Sequence, residues 1–455
     1  MKANSKNSPK YACGDCGSGY ATWLGQCGVC GGWNTIAPIV RPNNISGADK
    51  RVSVAPSVLS QVANGPSVRI SSGLSEFDRA LSGGIVMGST TLIGGEPGIG
   101  KSTLALVVAN SIGNANFRVL YVSGEESGAQ VAGRASRMGL DSGAVDFLHA
   151  VELQEILGVV ANYDLLIVDS IQAIYDGENT GMVGSVNQVR HCATTLNELA
   201  KANGICVLIL GHVTKDGSIA GPKLLEHLVD AVFVLEGERS GQDRSIRCVK
   251  NRFGRVSEVG YFKMVNQGLV DEPDPSVAQL QDRLEGASGS VISAIRDGLR
   301  VRLVEIQALV VLNSREIPKR AFLGLSGQRC QVIVGLIEHF AKIRLDKFDI
   351  FVSLTGGVVS DDPGLDLGIA TAIVSGVLGL ALPQNVGVLG ELGLTGEVRR
   401  VSGDAERITE LQRHGFDRSI VPRLAEASRG ARSVTTLNEA LASLSLIKNK
   451  SSTNH

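Results

Sequence analysis

The chain lacks a charge excess of either sign: 44 Lys and Arg against 45 Asp and Glu leave a net charge of −1 over 455 residues. A globally basic nucleic-acid glove is excluded, but a local basic lining is not, since a ring or groove needs only one positive face. The chain also lacks an apolar run of the roughly 18 residues that a membrane span requires. Its N-terminus, Met1-Lys2-Ala3-Asn4-Ser5-Lys6, has no apolar signal core. Together these absences point to a cytoplasmic protein with no membrane partner. Aromatics are scarce, with two tryptophans in all, Trp23 and Trp33. Cysteines number eight, and in a reducing compartment paired cysteines read as metal ligands before disulfides. What remains, 43% hydrophobic and 20% charged, is the composition of a globular chain. Its length allows two or three domains.

Within it lies Gly95-Glu96-Pro97-Gly98-Ile99-Gly100-Lys101-Ser102, which fits the phosphate-loop pattern of Gly, four residues, Gly-Lys-Ser. An apolar run, Thr90-Thr91-Leu92-Ile93, leads in, and Thr103-Leu104-Ala105-Leu106-Val107-Val108 reads as the helix leading out. The glycines let backbone N–H groups converge on phosphate oxygens, and the helix N-terminus adds its positive end. Gly95 to Thr103 are therefore expected to bind ATP. Lys101 would reach the β- and γ-phosphates and the Ser102 hydroxyl would hold Mg2+.

Cys13-Gly14-Asp15-Cys16 and Cys27-Gly28-Val29-Cys30 are two Cys-x-x-Cys knuckles with ten residues between them. The spacing suits one tetrahedral Zn2+ held by four thiolates. So short a module, residues 1–35, cannot bury its own core. Zinc would supply most of its folding energy, with Trp23 and Trp33 packing around the site. Residues 36–66, rich in Pro, Asn, Ser and Val, read as a linker. Residues 67–272 alternate apolar strands with helical stretches, the pattern of an α/β domain with a mostly parallel sheet. Residues 286–447 read as a Gly- and Val-rich domain of mixed strands and helices, and 448–455 as a polar tail.

Leu165-Leu166-Ile167-Val168-Asp169 is an apolar strand ending in a carboxylate. That puts Asp169 at the carboxyl edge of the sheet beside the phosphate loop, where it can orient magnesium through water. Val122-Ser123-Gly124-Glu125-Glu126-Ser127 places two glutamates after another strand. Glu125 is the expected general base, with Glu126 as alternate or support. His212 follows a third strand and is a candidate sensor of the γ-phosphate. Lys250-Asn251-Arg252-Phe253-Gly254 sets two cations around an asparagine, which could reach the γ-phosphate of a neighbouring subunit.

The order of four-Cys finger, phosphate loop, Ser-Gly-Glu-Glu-Ser, Lys-Asn-Arg-Phe-Gly and C-terminal domain resembles the RadA/Sms family of bacterial DNA-repair ATPases over nearly the whole chain. The resemblance implies a RecA-like P-loop core forming a homo-hexameric ring, like the replicative DnaB helicases, and a Lon protease-like α+β C-terminal domain. It implies a DNA-dependent ATPase that moves on single-stranded DNA and extends branched recombination intermediates by branch migration, beside a strand-exchange recombinase. It further implies that Lys101 and Ser102 bind ATP and magnesium, that Asp169 is the Walker B acid and that Glu125 activates water. Lys250 and Arg252 become a pair acting in trans. RecA-type proteins place DNA-binding loops where Asp176 to Arg190 and Lys215 to Lys223 fall, so Arg190, Lys215 and Lys223 are candidate phosphate contacts. Neither loop carries an aromatic platform, which favours backbone tracking over base readout.

Active Lon enzymes carry their serine in an Asp-Gly-Pro-Ser-Ala-Gly context with a distant lysine. Here Asp361-Asp362-Pro363-Gly364-Leu365-Asp366 puts Gly364 in the serine's place, and counting on from Leu394-Thr395-Gly396-Glu397-Val398 puts Ala405 in the lysine's. A Ser–Lys dyad needs both members, and no lysine lies near Ser360 or Ser402 in sequence. An ATP hydrolase without peptidase activity is expected. The domain would stack into a second ring, with Lys319, Arg320, Arg344 and Lys347 as a candidate basic surface. Two other functions stay open: a non-motor ATP switch or loader indifferent to DNA, and an ATP-dependent protease.

Overall fold

The computed structural model describes residues 11–13, 18–29, 31–33, 35–38, 68–179, 181–212, 225–237, 241–313, 317–424 and 428–447. Cys16, Cys30, Lys215, Lys223, most of the expected linker and the polar tail lie outside these residues, as does the Cys13 side chain.

The N-terminal segment pairs Tyr11–Cys13 with Gly19–Tyr20 and Ile36–Pro38 in a three-stranded antiparallel sheet. Its small core is Cys27 and Ile36, with Tyr11 and Tyr20 packed against them. Trp23 and Trp33 are 56% and 71% exposed. A segment this small encloses too little volume to bury an indole.

The central body is built on one nine-stranded sheet. Its elements in chain order are α1 (Ser75–Ala80), β1 (Thr90–Gly95), α2 (Lys101–Asn114), β2 (Val119–Ser123), α3 (Gly128–Arg137), β3 (Asp146–His149), α4 (Leu153–Val159), β4 (Leu165–Asp169), α5 (Val186–Asn203), β5 (Cys206–His212), β6 (Ala231–Gly237), β7 (Asp243–Asn251), β8 (Val259–Val265) and β9 (Gly268–Asp271). The spatial order is β9-β8-β7-β6-β1-β5-β4-β2-β3. From β6 across to β3 the neighbours run parallel, and β6 to β9 continue as an antiparallel meander.

The residues explain the change of pattern. β1, β4 and β5 are unbroken apolar or small runs buried on both faces, as strands between two helical layers must be. Ile93 packs into one layer with Leu104, Val108 and Tyr121. Leu92 packs into the other with Val168, Ile209 and Leu196. In β7 buried residues alternate with more exposed ones, since only one face is covered.

This order sets the carboxyl ends of β1, β2, β4 and β5 along one edge, the place where open α/β sheets bind ligands. Gly95 stands opposite His212 and Ser123 opposite Asp169 in the strand register. Asp169 lies two strands from β1, because β5 runs between β1 and β4, and its charge still acts on Lys101 of the phosphate loop. The crossover through α2 carries the chain past two strand positions before β2 pairs.

The C-terminal body begins earlier than residue 286. α6 (Pro275–Leu280) packs on β11 (Arg300–Leu312), and Ser276 Oγ accepts from Leu303 N at 3.0 Å and donates to Glu410. Pro275 at the first helical position starts α6. With β10 (Ser290–Asp297), β12 (Arg320–Leu323), α7 (Gly327–Leu336), β13 (Phe348–Leu354), α8 (Asp366–Leu378), β14 (Val386–Val388), α9 (Asp404–Arg413), β15 (Arg418–Pro422) and β16 (Ala431–Val434), it makes a seven-stranded mixed sheet ordered β12-β13-β11-β10-β14-β15-β16. The apolar α8 fills its core. Among the described residues no helix is long and apolar enough to cross a membrane.

Glu76 joins the two bodies. It is fully buried, accepts from Tyr261 N at 3.0 Å, and pairs with Arg300 of the C-terminal body and with Arg79 at 3.3 Å. Removing one partner of a buried pair strands the other charge, at a cost of about 3–5 kcal/mol. Glu76→Ala should lose stability on that scale in chemical denaturation; a loss under about 1 kcal/mol would mean that Arg300 finds other compensation.

Candidate nucleotide site

The phosphate loop leaves β1 at Gly95 and enters α2 at Lys101, with Gly98 and Gly100 at φ of 80° and 116°. Both values lie in the left-handed region that a side chain would disfavour. No side chain caps α2, so its first amides are left for an anion. Lys101 is buried, and its Nζ donates to the Gly95 and Glu96 carbonyls at 2.8 and 2.9 Å. Burial pulls its ammonium below the ordinary lysine value, while the charges of Asp169 and Glu125 hold it up. Ser102 and Thr103 occupy the first turn of α2, half-buried.

Asp169 Oδ2 accepts from the Tyr121 hydroxyl at 2.5 Å. The tyrosine is buried, and burial together with the Asp169 charge pushes its hydroxyl well above the ordinary value, so it stays a donor. The two glutamates after β2 differ. Glu126 is tied to Arg134 of α3 by a short ion pair, and its amide donates to Ser123 Oγ at 3.0 Å. Glu125 projects the other way: its Oε1 accepts from Ser170 Oγ at 2.5 Å and lies 3.6 Å from His212 Nε2. Its side chain is 47% exposed, open to a water. Of the two, Glu125 is the more exposed, and Glu126 is held by its ion pair with Arg134.

Lys250 and Arg252 lie elsewhere. β7 runs antiparallel to β6, so its end returns to the edge where the parallel strands begin. Arg252 donates to Asp230 Oδ1 at 2.9 Å, and the Asp230 amide donates to Thr90 O, at the start of β1. Five strand steps separate Thr90 from Gly95, roughly 17 Å at about 3.3 Å per residue. Lys250 Nζ donates to the Glu226 and Val229 carbonyls. Neither cation reaches the phosphate loop of its own chain.

Arg190 is exposed and falls on α5, in its second turn, rather than in a loop ending there as expected. Ser185 caps that helix, and Gln188 donates its amide N–H to the Asp176, Asn179 and Gly181 carbonyls, which fixes the base of the preceding loop. In the C-terminal body, the space beside Gly364 is filled. A Cβ there would stand 2.7 Å from Arg407 Nη1, and Arg407, 2% exposed, donates from Nη2 to Asp362 Oδ2 at 2.8 Å. Ser402 Oγ accepts from Arg296, Ser360 Oγ accepts from Asp362 N, and Ala405 lies on α9. Lys319, Arg344 and Lys347 are exposed, and Arg320 is half-buried.

The AAA domain family matches residues 67–218, which include the phosphate loop, Glu125, Asp169 and His212. A second family, subunit ChlI of Mg-chelatase, matches residues 329–425. DNA repair protein RadA of Bacillus subtilis is 40% identical over 427 residues, 92% of this chain and 93% of its own. The chain belongs to the RadA family. Its relatives include DNA repair protein RadA of Escherichia coli, 40% identical over 90% of this chain and 92% of that one. That of Streptococcus pyogenes is 41% identical over 92% and 94%. Among solved structures, the KaiC-like protein PH0186 of Pyrococcus horikoshii is 24% identical with a TM-score of 0.39, over 46% of this chain and 100% of that one. The RadB recombinase is 23% identical with a TM-score of 0.36, over 44% and 99%. The phosphate loop on β1 and the matched AAA domain make the central body a P-loop α/β core.

The acidic and basic residues of this edge are legible in the sequence; the ones that hold them are not. Tyr121 reads as one more apolar strand residue, Arg134 as a surface helix charge and Ser170 as part of a turn. Nothing local to any of them signals its partner. Of the expected zinc set only the Cys27 side chain is described; it is buried, with the Tyr20 hydroxyl 3.0 Å from its Sγ.

Proposed function

We propose that the chain is a DNA-dependent ATPase of recombinational DNA repair, acting as a ring of identical subunits, a hexamer, that moves on single-stranded DNA and drives branch migration beside a strand-exchange recombinase. The observation that carries the reading is the split between the edges: Lys101, Asp169 and Glu125 at one, Lys250 and Arg252 at the other. Cations placed away from their own loop complete a site only in a neighbouring copy, which is how rings couple turnover to subunit motion.

In this reading Lys101 holds the β- and γ-phosphates. Ser102 and Asp169 would hold magnesium, which when bound would supply charge neutralisation at the phosphates. Glu125, oriented by Ser170 and His212, accepts a proton from the attacking water. The water oxygen bonds to the γ-phosphorus as the bond to the β–γ bridging oxygen breaks, and ADP and phosphate leave. Lys250 and Arg252 of the adjoining copy stabilise the charge that develops. Arg190, Lys215 and Lys223 would hold DNA phosphates. Cys13, Cys16, Cys27 and Cys30 would hold Zn2+, a reading that rests on their spacing. The Lon-like body would act by assembly and not as a peptidase, since the serine's place beside Arg407 has neither nucleophile nor room.

The test is ATP turnover with and without single-stranded DNA, for the wild type, Lys101→Ala and Arg252→Ala. Stimulation by DNA, lost in both variants, is expected. Turnover indifferent to DNA would replace the motor by an ATP switch or loader.

A further inference from the structure

A buried arginine holds the phosphate loop from behind. Arg244 lies near the start of β7 and is 5% exposed. Its Nε donates to the Ile99 carbonyl at 2.9 Å, and its Nη1 donates to the Gly241 and Asp243 carbonyls at 2.8 Å each. All three acceptors are main-chain oxygens. Burial lowers its pKa from the ordinary arginine value, so the cation is desolvated and its hydrogen bonds must offset that cost. The space for it is made at the end of β6: a Cβ on Gly237 would stand 2.7 Å from Arg244 Cδ.

The acceptor that matters is Ile99, inside the loop and flanked by Gly98 and Gly100, both at positive φ. The peptide between Ile99 and Gly100 turns about ψ of Ile99 and φ of Gly100, and the glycine leaves the second of these easy to rotate. In a planar trans peptide the C=O of one residue and the N–H of the next point in opposite directions. An Ile99 oxygen drawn toward β7 therefore turns the Gly100 N–H away from β7, toward the phosphate cradle at the N-terminus of α2.

We propose that Arg244 is a positioning residue for nucleotide binding: it sets the Ile99–Gly100 peptide before the nucleotide arrives, so that the loop binds phosphate without first rearranging. The proposal rests on the reading of this loop as the ATP site. It separates binding from turnover, because Arg244 touches neither the nucleotide nor the attacking water. If the unheld loop spends about a tenth of its time in the competent form, affinity falls about tenfold.

The experiment uses the full chain with Arg244→Gln and Arg244→Lys. MgADP and MgATP affinities are measured by calorimetry, turnover at saturating ATP, and the melting temperature with and without MgADP. For Arg244→Gln, both dissociation constants should rise about tenfold, with saturating turnover within about twofold of wild type. The rise in melting temperature on adding MgADP should shrink, a change that a merely structural role would not produce. Arg244→Lys, keeping a cation that can reach one carbonyl, should fall between. Unchanged affinity in either folded variant overturns the proposal, as does a loss of turnover with affinity intact. Should Arg244→Gln not fold, Arg244→Lys decides by the same criterion. A wild type that binds neither nucleotide would sink the ATP-site reading itself, whereas binding unaltered by the variants sinks the role of Arg244 alone.

Discussion

Glu125→Gln should lower ATP turnover by at least about 10²-fold while MgATP affinity stays within about threefold of wild type. The amide keeps the shape of the side chain and its contact with the Ser170 hydroxyl, 2.5 Å away in the acid form. What it loses is the capacity to take a proton from water, a contribution typically of about 10²–10⁴ in rate. Glu126→Gln is the internal comparison. Its carboxylate is joined to Arg134, so the change should disturb the loop through that pair and cost turnover far less. Single-turnover hydrolysis with a separate binding assay distinguishes the two. If Glu126→Gln were the dead variant and Glu125→Gln the mild one, the assignment of the base would reverse.

Mixing two inactive variants should restore activity. Lys101→Ala removes the phosphate lysine and Arg252→Ala the cation supplied from the opposite edge, each expected to be nearly inert; an arginine acting in trans is worth about 10³–10⁵ in rate. In a ring assembled from equal amounts of both, about a quarter of the interfaces join an intact phosphate loop to an intact Arg252, so turnover should recover to about that fraction. The measurement is turnover against mixing ratio after subunit exchange, with a maximum near equal amounts. A straight line between the two inactive ends would show that Arg252 does not complete a neighbour's site. Its role would then be confined to the contact with Asp230 that it makes in its own chain, at 2.9 Å.

The sequence by itself determined the parts whose chemistry is local. Gly95 to Ser102 can be read because phosphate binding by backbone amides needs glycines and a helix start within eight consecutive residues. The buried strands can be read because a strand covered on both faces must be apolar throughout, as Leu165 to Val168 and Cys206 to Leu210 are.

Only the tertiary structure decided which groups meet. Glu125 and Glu126 are adjacent in sequence, and their contacts part because one side chain turns to Ser170 and the other to Arg134. Arg252 stands at the far edge because β7 doubles back along β6, a turn of direction that no residue in the Lys-Asn-Arg-Phe-Gly motif encodes. Arg244 reaches Ile99 across 145 residues of chain. Contacts of that kind come from the sheet's strand order, and strand order is a property of the packed whole: each strand carries apolar faces that would suit several neighbours, and burying all of them at once selects one.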